Sequence, residues 1–242
     1  MHHVVLERWS RGTSALHRRD PRVKAVATLV FLVVLATAHR QLPWLAAACL
    51  VLLCAAVLAA RLPLGAAVLR AGIVLSFTAV FAAVSWISGD SARAVSLLLK
   101  SYLSALAVLL LVSTTRLSVL LHGMERLGAP RFLLMVAQFL YRYLFVISEE
   151  AQHMRAAALA RGSGAGRINR RARLQAAGGA VAALFARSYG RAEEIHRAML
   201  ARGFAGDFPT LEPLRLRGAD VWFGVAAVLA PILVRVAIER ST

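Results

Sequence analysis

The chain has 242 residues, of which 59% are hydrophobic, and its mean hydropathy is +0.66. Soluble domains are usually about 45–50% apolar, so the composition excludes an ordinary soluble domain and indicates a membrane protein. The formal net charge of +17 indicates contact with an acidic protein, anionic lipid or nucleic acid, and the distribution of the charges has to decide between them.

Residues 1–22 are predicted to form a tail before the first membrane span. The tail has no clean apolar run and no small-residue cleavage site of the kind found in signal peptides, so it is expected to stay on the mature protein. Asp20-Pro21 predicts a helix start, because proline suits the first helical turn. Met1-His2-His3 could bind Ni²⁺, Cu²⁺ or Co²⁺ through the terminal amine, amides and imidazole, but a terminus without a metal is the preferred interpretation.

Residues 23–114 are predicted to hold four transmembrane helices, and residues 219–242 a last one with the C-terminus. A bilayer core of about 30 Å requires roughly 20 apolar residues in a helix. The segments that meet or approach this length are Val23–Ala38, Leu42–Ala60, Leu64–Ile87, Ala94–Thr114 and Ala219–Ile238. The fold class is therefore an all-α membrane protein with about five transmembrane helices.

Most of the Lys and Arg residues fall on one predicted side of the membrane. The N-terminal tail together with Lys24 has six and residues 116–217 have sixteen, whereas the loops near positions 40 and 90 have one each. By the positive-inside rule, the tail and the long segment are cytoplasmic. Four predicted spans separate the tail from the long segment, and an even number of spans places both on the same side of the membrane. The protein is expected in the cytoplasmic (inner) membrane of a bacterium, with its N-terminus in the cytoplasm.

Apart from Asp220 at the edge of the last span, the predicted spans contain no Asp or Glu, although such residues usually mark proton and ion pathways in membranes. Their cations are Arg70, Lys100 and Arg235. For Arg70 and Lys100, the preferred interpretation is that the side chain reaches the membrane surface, and pairing between helices is the alternative. An intramembrane enzyme is disfavoured, because the spans lack acidic clusters and no histidine forms a metal motif. The protein is expected to be non-catalytic and to hold no metal.

The segment 115–218 is predicted to be a cytoplasmic or interfacial region of helices. A short helix within 116–127 is expected to end at Gly128. A long helix is expected over 130–161, with a first half apolar enough to touch lipid or the other spans. A second long helix is expected over 168–202.

Both long helices are predicted to end in the same tetrapeptide, Leu-Ala-Arg-Gly. Glycine is the usual left-handed cap after a helix, and an arginine there faces the negative end of the helix dipole. A cap explains one copy, whereas two copies in one cytoplasmic segment favour docking onto two similar partners. The candidate residues are Ala160, Arg161 and Gly162 in the first copy, Ala201, Arg202 and Gly203 in the second, and the upstream pairs Glu149-Glu150 and Glu193-Glu194.

Nucleic-acid binding explains the arginines poorly, because they are spread over the helices of a membrane protein without an aromatic platform for stacking bases. Lipid headgroups explain some of them. The glycine-rich stretch 162–167 is not a phosphate-binding loop, since it follows a helix and lacks Gly-Lys-Ser or Gly-Lys-Thr at its end. Docking of the cytoplasmic helices onto another protein is therefore favoured.

The chain resembles, over nearly its whole length, the transmembrane (T) subunit of energy-coupling-factor importers, which are ATP-driven micronutrient transporters. The resemblance depends on Asp20-Pro21-Arg22-Val23-Lys24, on Tyr141-Arg142-Tyr143 with Glu149-Glu150, and on the paired Ala-Arg-Gly motifs. The length and the run Tyr-Arg-Tyr-Leu-Phe-Val are most similar to the cobalt-type CbiQ group. Nickel and vitamin importers are the alternatives.

The resemblance implies three partners besides the lipid bilayer: two ABC-type ATPase subunits and a metal-binding membrane (S-type) subunit. It implies that the two motif ends sit in grooves of the ATPases, where Arg161 and Arg202 pair with acidic residues. ATP would be bound by the ATPases and Co²⁺ by the substrate subunit, so that this chain itself needs no cofactor. The second motif continues as Phe204-Ala205-Gly206, nearer the family's habit, so Arg202 is expected to be the more rigid anchor.

Overall fold

The structure, a computed structural model, describes residues 9–10, 12, 14–38, 42–162, 170–206 and 216–240. The described parts are helical, as the composition predicted. The helices are α1 (Pro21–Thr37), α2 (Leu42–Ala59), α3 (Leu64–Ile87), α4 (Ser91–Thr114), α5 (Leu117–Arg126), α6 (Arg131–Ala160), α7 (Arg170–Ala201) and α8 (Gly218–Arg240). They form two compact units, which we call the bundle (α1–α5 and α8) and the helix pair (α6 and α7).

Four of the described helices are long and apolar enough to cross a membrane by length and composition: Leu64–Ile87, Ser91–Thr114, Arg131–Ala160 and Gly218–Ile238. Pro43–Ala59 is a shorter apolar helix, and α1 has 17 residues. The predicted all-α membrane fold is confirmed. The helix α6 also qualifies by composition, although the sequence placed it in the cytoplasmic or interfacial region, and the predicted domain boundaries at 22, 114 and 218 stay predictions.

Aspartates set the starts of α1 and α4. Asp20 accepts a hydrogen bond from the backbone N–H of Arg22 at 2.9 Å, which confirms the predicted start of α1. Asp90 accepts from the backbone N–H of Arg93 at 2.9 Å. This cap starts α4 at Ser91, three residues (94 − 91) before the predicted boundary.

Small and aliphatic side chains form the core of the bundle. Ala67 and Ala71 of α3 and Leu103 and Leu106 of α4 are each at most 2% exposed. Small residues at such contacts let membrane helices approach closely, where dispersion contacts replace the hydrophobic effect that water would supply. Apolar side chains on the other face of α3 are open, with Phe77 71% exposed, as expected of a surface that faces lipid or another membrane protein.

Two lysines join α1 to α4, one near each end of α1. Lys24 of α1 donates to the Thr114 carbonyl at 3.0 Å and to the Thr115 hydroxyl at 3.1 Å, at the C-terminal end of α4. Lys100 of α4 donates to the Ala36 carbonyl, at the C-terminal end of α1, at 3.0 Å. The two helices are therefore antiparallel. Each lysine binds at a helix end whose last carbonyls have no partner within the helix and carry the negative end of the dipole.

The last helix, α8, runs parallel to α1. A Cβ built on Gly224 would lie only 2.6 Å from Cγ1 of Val23, so the helices touch near their starts. Near their ends, Arg235 donates to the Thr37 hydroxyl at 2.6 Å. Because α4 ends and α8 begins at the N-terminal end of α1, residues 115–217 start and finish at the same end of the bundle.

The intramembrane cations pair within the protein. Lys100 bonds to α1, so for this residue the alternative of pairing between helices is observed rather than a side chain that reaches the membrane surface. The guanidinium carbon of Arg70 lies 4.1 Å from the centroid of the Trp9 ring. His17 ties this part of the tail together, since Nε2 donates to the Trp9 carbonyl at 2.9 Å. The terminal Met1-His2-His3 lies outside the described residues.

Lys24→Met is expected to lower the thermal stability of the purified chain. The substitution removes the donor to the buried Thr114 carbonyl, and hydrogen bonds to charged groups contribute about 1.5–3 kcal/mol. The measurement is the temperature at which half of the protein remains monodisperse after heating. Arg116→Met, which changes an exposed cation at the same end of the bundle, is the matched control. Equal midpoints for the two variants would contradict the capping role of Lys24.

Candidate functional site

Left-handed glycines end both long helices of the helix pair. Gly162 has φ +83° and Gly203 has φ +79°, a region that side chains with a Cβ rarely adopt. The N–H of Gly162 donates to the Leu159 carbonyl at 3.0 Å, and the N–H of Gly203 donates to the Leu200 carbonyl at 3.0 Å. The predicted helix caps are therefore confirmed, and each arginine directly precedes a left-handed glycine.

The second end is fixed by one further hydrogen bond. The N–H of Phe204 donates to the Met199 carbonyl at 3.0 Å. Together with the bond from Gly203, this makes a Schellman motif, which often adds an apolar contact between the same two side chains. The signal for this motif in the sequence is the apolar residue directly after the glycine, which by itself indicates only a resemblance to the family. The greater rigidity of Arg202 stays a prediction, because residues 163–169 lie outside the described part of the chain.

The six motif residues, from Ala160 to Gly162 and from Ala201 to Gly203, are all exposed. Among the described residues, no carboxylate pairs with the guanidinium of Arg161 or Arg202. Arginine can bind a carboxylate through two parallel hydrogen bonds, and the alanine and glycine beside it leave room for another backbone to approach. Each end is therefore chemically suited to an acidic groove on another protein.

One of the four predicted glutamates connects the two helices. Glu150 of α6 accepts a hydrogen bond from Arg187 of α7 at 2.6 Å. Arg187 was missed in the sequence, because the spacing along the chain carries no signal for a pair between two helices. Arg161 lies 11 positions (161 − 150) beyond this link, about 16 Å along the helix, and Arg202 lies 15 positions (202 − 187) beyond it, about 22 Å.

The other three glutamates have local surroundings. Glu193 accepts from Arg197 one turn later on α7, and Glu149 lies 3.8 Å from the His153 ring on α6. Glu194 is exposed and has no ion pair among the described residues. The structure therefore does not gather the four glutamates into one cluster, and their supporting role in coupling stays a prediction.

A cleft lies between α6 and α7, and the Glu150–Arg187 pair forms part of its lining. The cleft has a volume of about 410 Å³ and is lined mainly by apolar side chains of both helices, including Phe139, Tyr143 and Met199. Stacking of Phe139 on Tyr143, with 6.2 Å between ring centroids, orders the α6 side. The helix pair is thus joined by a polar link beside an apolar cleft.

Within the described ranges, no group of three or more His, Cys, Asp or Glu side chains is arranged to hold a metal ion. The seven histidines of the sequence are spread along the chain. His122 and His153, for example, each have a carboxylate neighbour on their own helix, Glu125 at 3.3 Å and Glu149 at 3.8 Å.

Comparison with known proteins gives one family and two relatives. The profile of the cobalt transport protein family CbiQ matches residues 12–212. The energy-coupling factor transporter transmembrane protein EcfT of Bacillus selenitireducens is 30% identical over 231 residues, covering 84% of this chain and 84% of the relative. The cobalt transport protein CbiQ of Rhodobacter capsulatus is 31% identical over 120 residues, covering 50% of this chain and 48% of the relative.

Gly203, which follows α7, and Gly178, within α7, should respond in opposite directions to substitution by alanine. Gly203→Ala is expected to destabilise the helix end by about 1 kcal/mol, because its φ is positive. Gly178→Ala is expected to stabilise α7 by about 0.5–1 kcal/mol, since a Cβ there meets nothing within 4 Å and glycine weakens a helix interior. Amide hydrogen exchange in the last turns of α7 is the measurement for Gly203, and the thermal midpoint is the measurement for Gly178. If both substitutions stabilised the helix, or both destabilised it, the observed cap at Gly203 would be contradicted.

Proposed function

Because the chain belongs to the CbiQ cobalt transport family, whose members are transmembrane (T) components of energy-coupling-factor transporters, we propose that it couples ATP hydrolysis to metal import. In this proposal, two ABC-type ATPase subunits bind and hydrolyse ATP. This chain carries their motion through the membrane to a separate metal-binding S-type subunit, and it catalyses no reaction itself.

One observation carries the proposal: two exposed helix ends have the same Ala-Arg-Gly sequence and the same left-handed glycine cap. Two equal ends suit two equal or similar motor subunits. Arg161 and Arg202 would each pair with acidic residues in an ATPase groove, where a desolvated charge pair is worth more than one in water. When the ATPases close on ATP, both ends would be displaced together.

The chain offers a direct route from the helix pair to the bundle. The helix α5 leads into α6 through Gly128, which has φ +96°, and Pro130. In the bundle, α5 lies against the start of α1, where a Cβ on Gly123 would be 3.2 Å from Cγ of Pro21. We infer that a displacement of α6 is passed through α5 to the first turn of α1.

The topology of the bundle supports a cytoplasmic position for the motif ends. Residues 115–217 start and finish at one end of the bundle. Although α6 is apolar enough to cross a membrane, α7 is not among the helices that qualify for a return crossing. The sixteen Lys and Arg residues of this segment and the basic tail favour the cytoplasmic side. The expected location is the inner membrane of a bacterium, with the N-terminus inside.

Cobalt is the proposed substrate because the matched family and one relative are named for cobalt transport. Co²⁺ would be bound by the separate membrane subunit and ATP by the ATPases, so that this chain holds neither. The same coupling role in a nickel or vitamin importer is the second candidate, since the other relative is named only for the energy-coupling function.

Arg161→Ala and Arg202→Ala are each expected to reduce ATPase association and metal uptake, and the double variant is expected to abolish both. Loss of a buried charge pair costs about 2–5 kcal/mol, partly because the partner's carboxylate is left unpaired. The measurements are co-purification of the ATPases with this chain and uptake of radioactive cobalt by cells that express the complex.

Arg155→Ala is the matched control, because Arg155 is an exposed arginine on α6, six positions (161 − 155) before the first motif. This variant should leave association and uptake at the wild-type level. Normal uptake by the double variant in an intact complex would refute the coupling role of the two ends. Uptake of nickel in place of cobalt would leave that role intact and would correct the substrate.

A further inference from the structure

A cavity between α1, α5 and α8 of the bundle has no part in the proposed coupling. Its volume is about 630 Å³. Two arginines line it, Arg22 of α1 and Arg126 of α5, and no carboxylate is among its described lining residues. Apart from Gly224, all the other lining residues are valines and leucines. The cavity therefore combines a cationic part with an apolar part.

The two arginines are brought to one end of the cavity by the contact of α5 with α1. A Cβ on Gly123 would lie 3.5 Å from Cγ of Arg22. Arg126 follows Gly123 by three positions, so it projects from the same face of α5. Arg126 is exposed, and the side chain of Arg22 is 17% exposed, with Asp20 as an ion-pair partner at 3.9 Å.

The apolar part follows the groove between the parallel helices α1 and α8. Its residues on α8 run from Val221 to Leu229, eight positions (229 − 221), or about 12 Å. The groove opens to the outside of the bundle, since Val26 of α1 is 42% exposed and Leu229 of α8 is 45% exposed. An apolar groove of this length, with two cations at one end, matches an amphiphile that has an anionic head.

We propose that this cavity binds an anionic phospholipid, with the phosphate at Arg22 and Arg126 and one acyl chain between α1 and α8. Charge complementarity selects this occupant. A zwitterionic lipid would bring its own cation towards two guanidinium groups, and an apolar helix of a partner would offer them no anionic group. The proposal does not depend on the transport role, because it uses only the membrane fold and this cavity.

The test is native mass spectrometry of the purified full chain, titrated in detergent with phosphatidylglycerol or with phosphatidylcholine of the same acyl chains. The wild-type chain should retain phosphatidylglycerol more tightly. Arg126→Gln should weaken that binding about fivefold, the effect expected for one cation near a lipid phosphate. Arg126→Lys should keep most of it. Arg116→Gln, which removes an exposed arginine at the opposite end of α5, should match the wild type.

Two further arms separate a lipid from other occupants. Glycerophosphoglycerol, the headgroup without acyl chains, should not displace the lipid, and displacement at similar concentrations would mark a site for free phosphate esters and overturn the proposal. Val228→Phe, which adds a ring to the apolar part, should weaken phosphatidylglycerol binding. Two further results would overturn the proposal, because the groove would then have another occupant. One is equal retention of phosphatidylglycerol by Arg126→Gln and Arg116→Gln. The other is equal retention of the two lipids by the wild-type chain.

Discussion

Three cations link both ends of α1 to neighbouring helices, and the arrangement of the bundle depends on these contacts. Lys24 reaches the end of α4 at Thr114, Lys100 of α4 reaches the end of α1 at Ala36, and Arg235 of α8 binds beside Ala36. The last carbonyls of a helix lack partners within the helix, and hydrocarbon offers them no water. Cations at these ends satisfy the carbonyls and fix the direction of three helices together.

The fixed directions determine where the rest of the chain can go. With α4 antiparallel and α8 parallel to α1, the long segment between α4 and α8 leaves and re-enters the bundle at one end. At that end, α5 packs through Gly123 on the first turn of α1, and Gly224 of α8 packs on Val23. The first turn of α1 therefore lies between α5, which leads into the helix pair, and α8, which follows it.

Much of this was predictable from the sequence, because local chemistry determines it. Asp20-Pro21 predicts the start of α1, and the glycines after Arg161 and Arg202 predict the helix ends with their positive φ. The family, too, is recognisable from short motifs. The position of Asp90 extends α4 by a turn that hydropathy alone did not show, because the polar cap precedes the first apolar residues.

Contacts between helices were not predictable, because a single sequence carries no signal for side chains that meet across the fold. The Glu150–Arg187 link, the direction of Lys100 towards α1 and the arginine-lined cavity all depend on packing. For the same reason, the sequence alone does not tell whether α6 crosses the membrane. Its composition allows a crossing, and only the directions of α4 and α8 indicate that the segment returns to its starting side.

The most direct test of the coupling account is the accessibility of the two motif ends in the membrane. Single cysteines at Ala157 and Ala205, both exposed positions beside the motifs, would be placed in a chain with Cys49→Ala and Cys54→Ala. They would be treated with a membrane-impermeant maleimide in intact cells and in inside-out vesicles. The account predicts labelling of both positions in inside-out vesicles alone, and protection of both when the ATPase subunits are co-expressed. Labelling of either position in intact cells, or equal labelling with and without the ATPases, would contradict it.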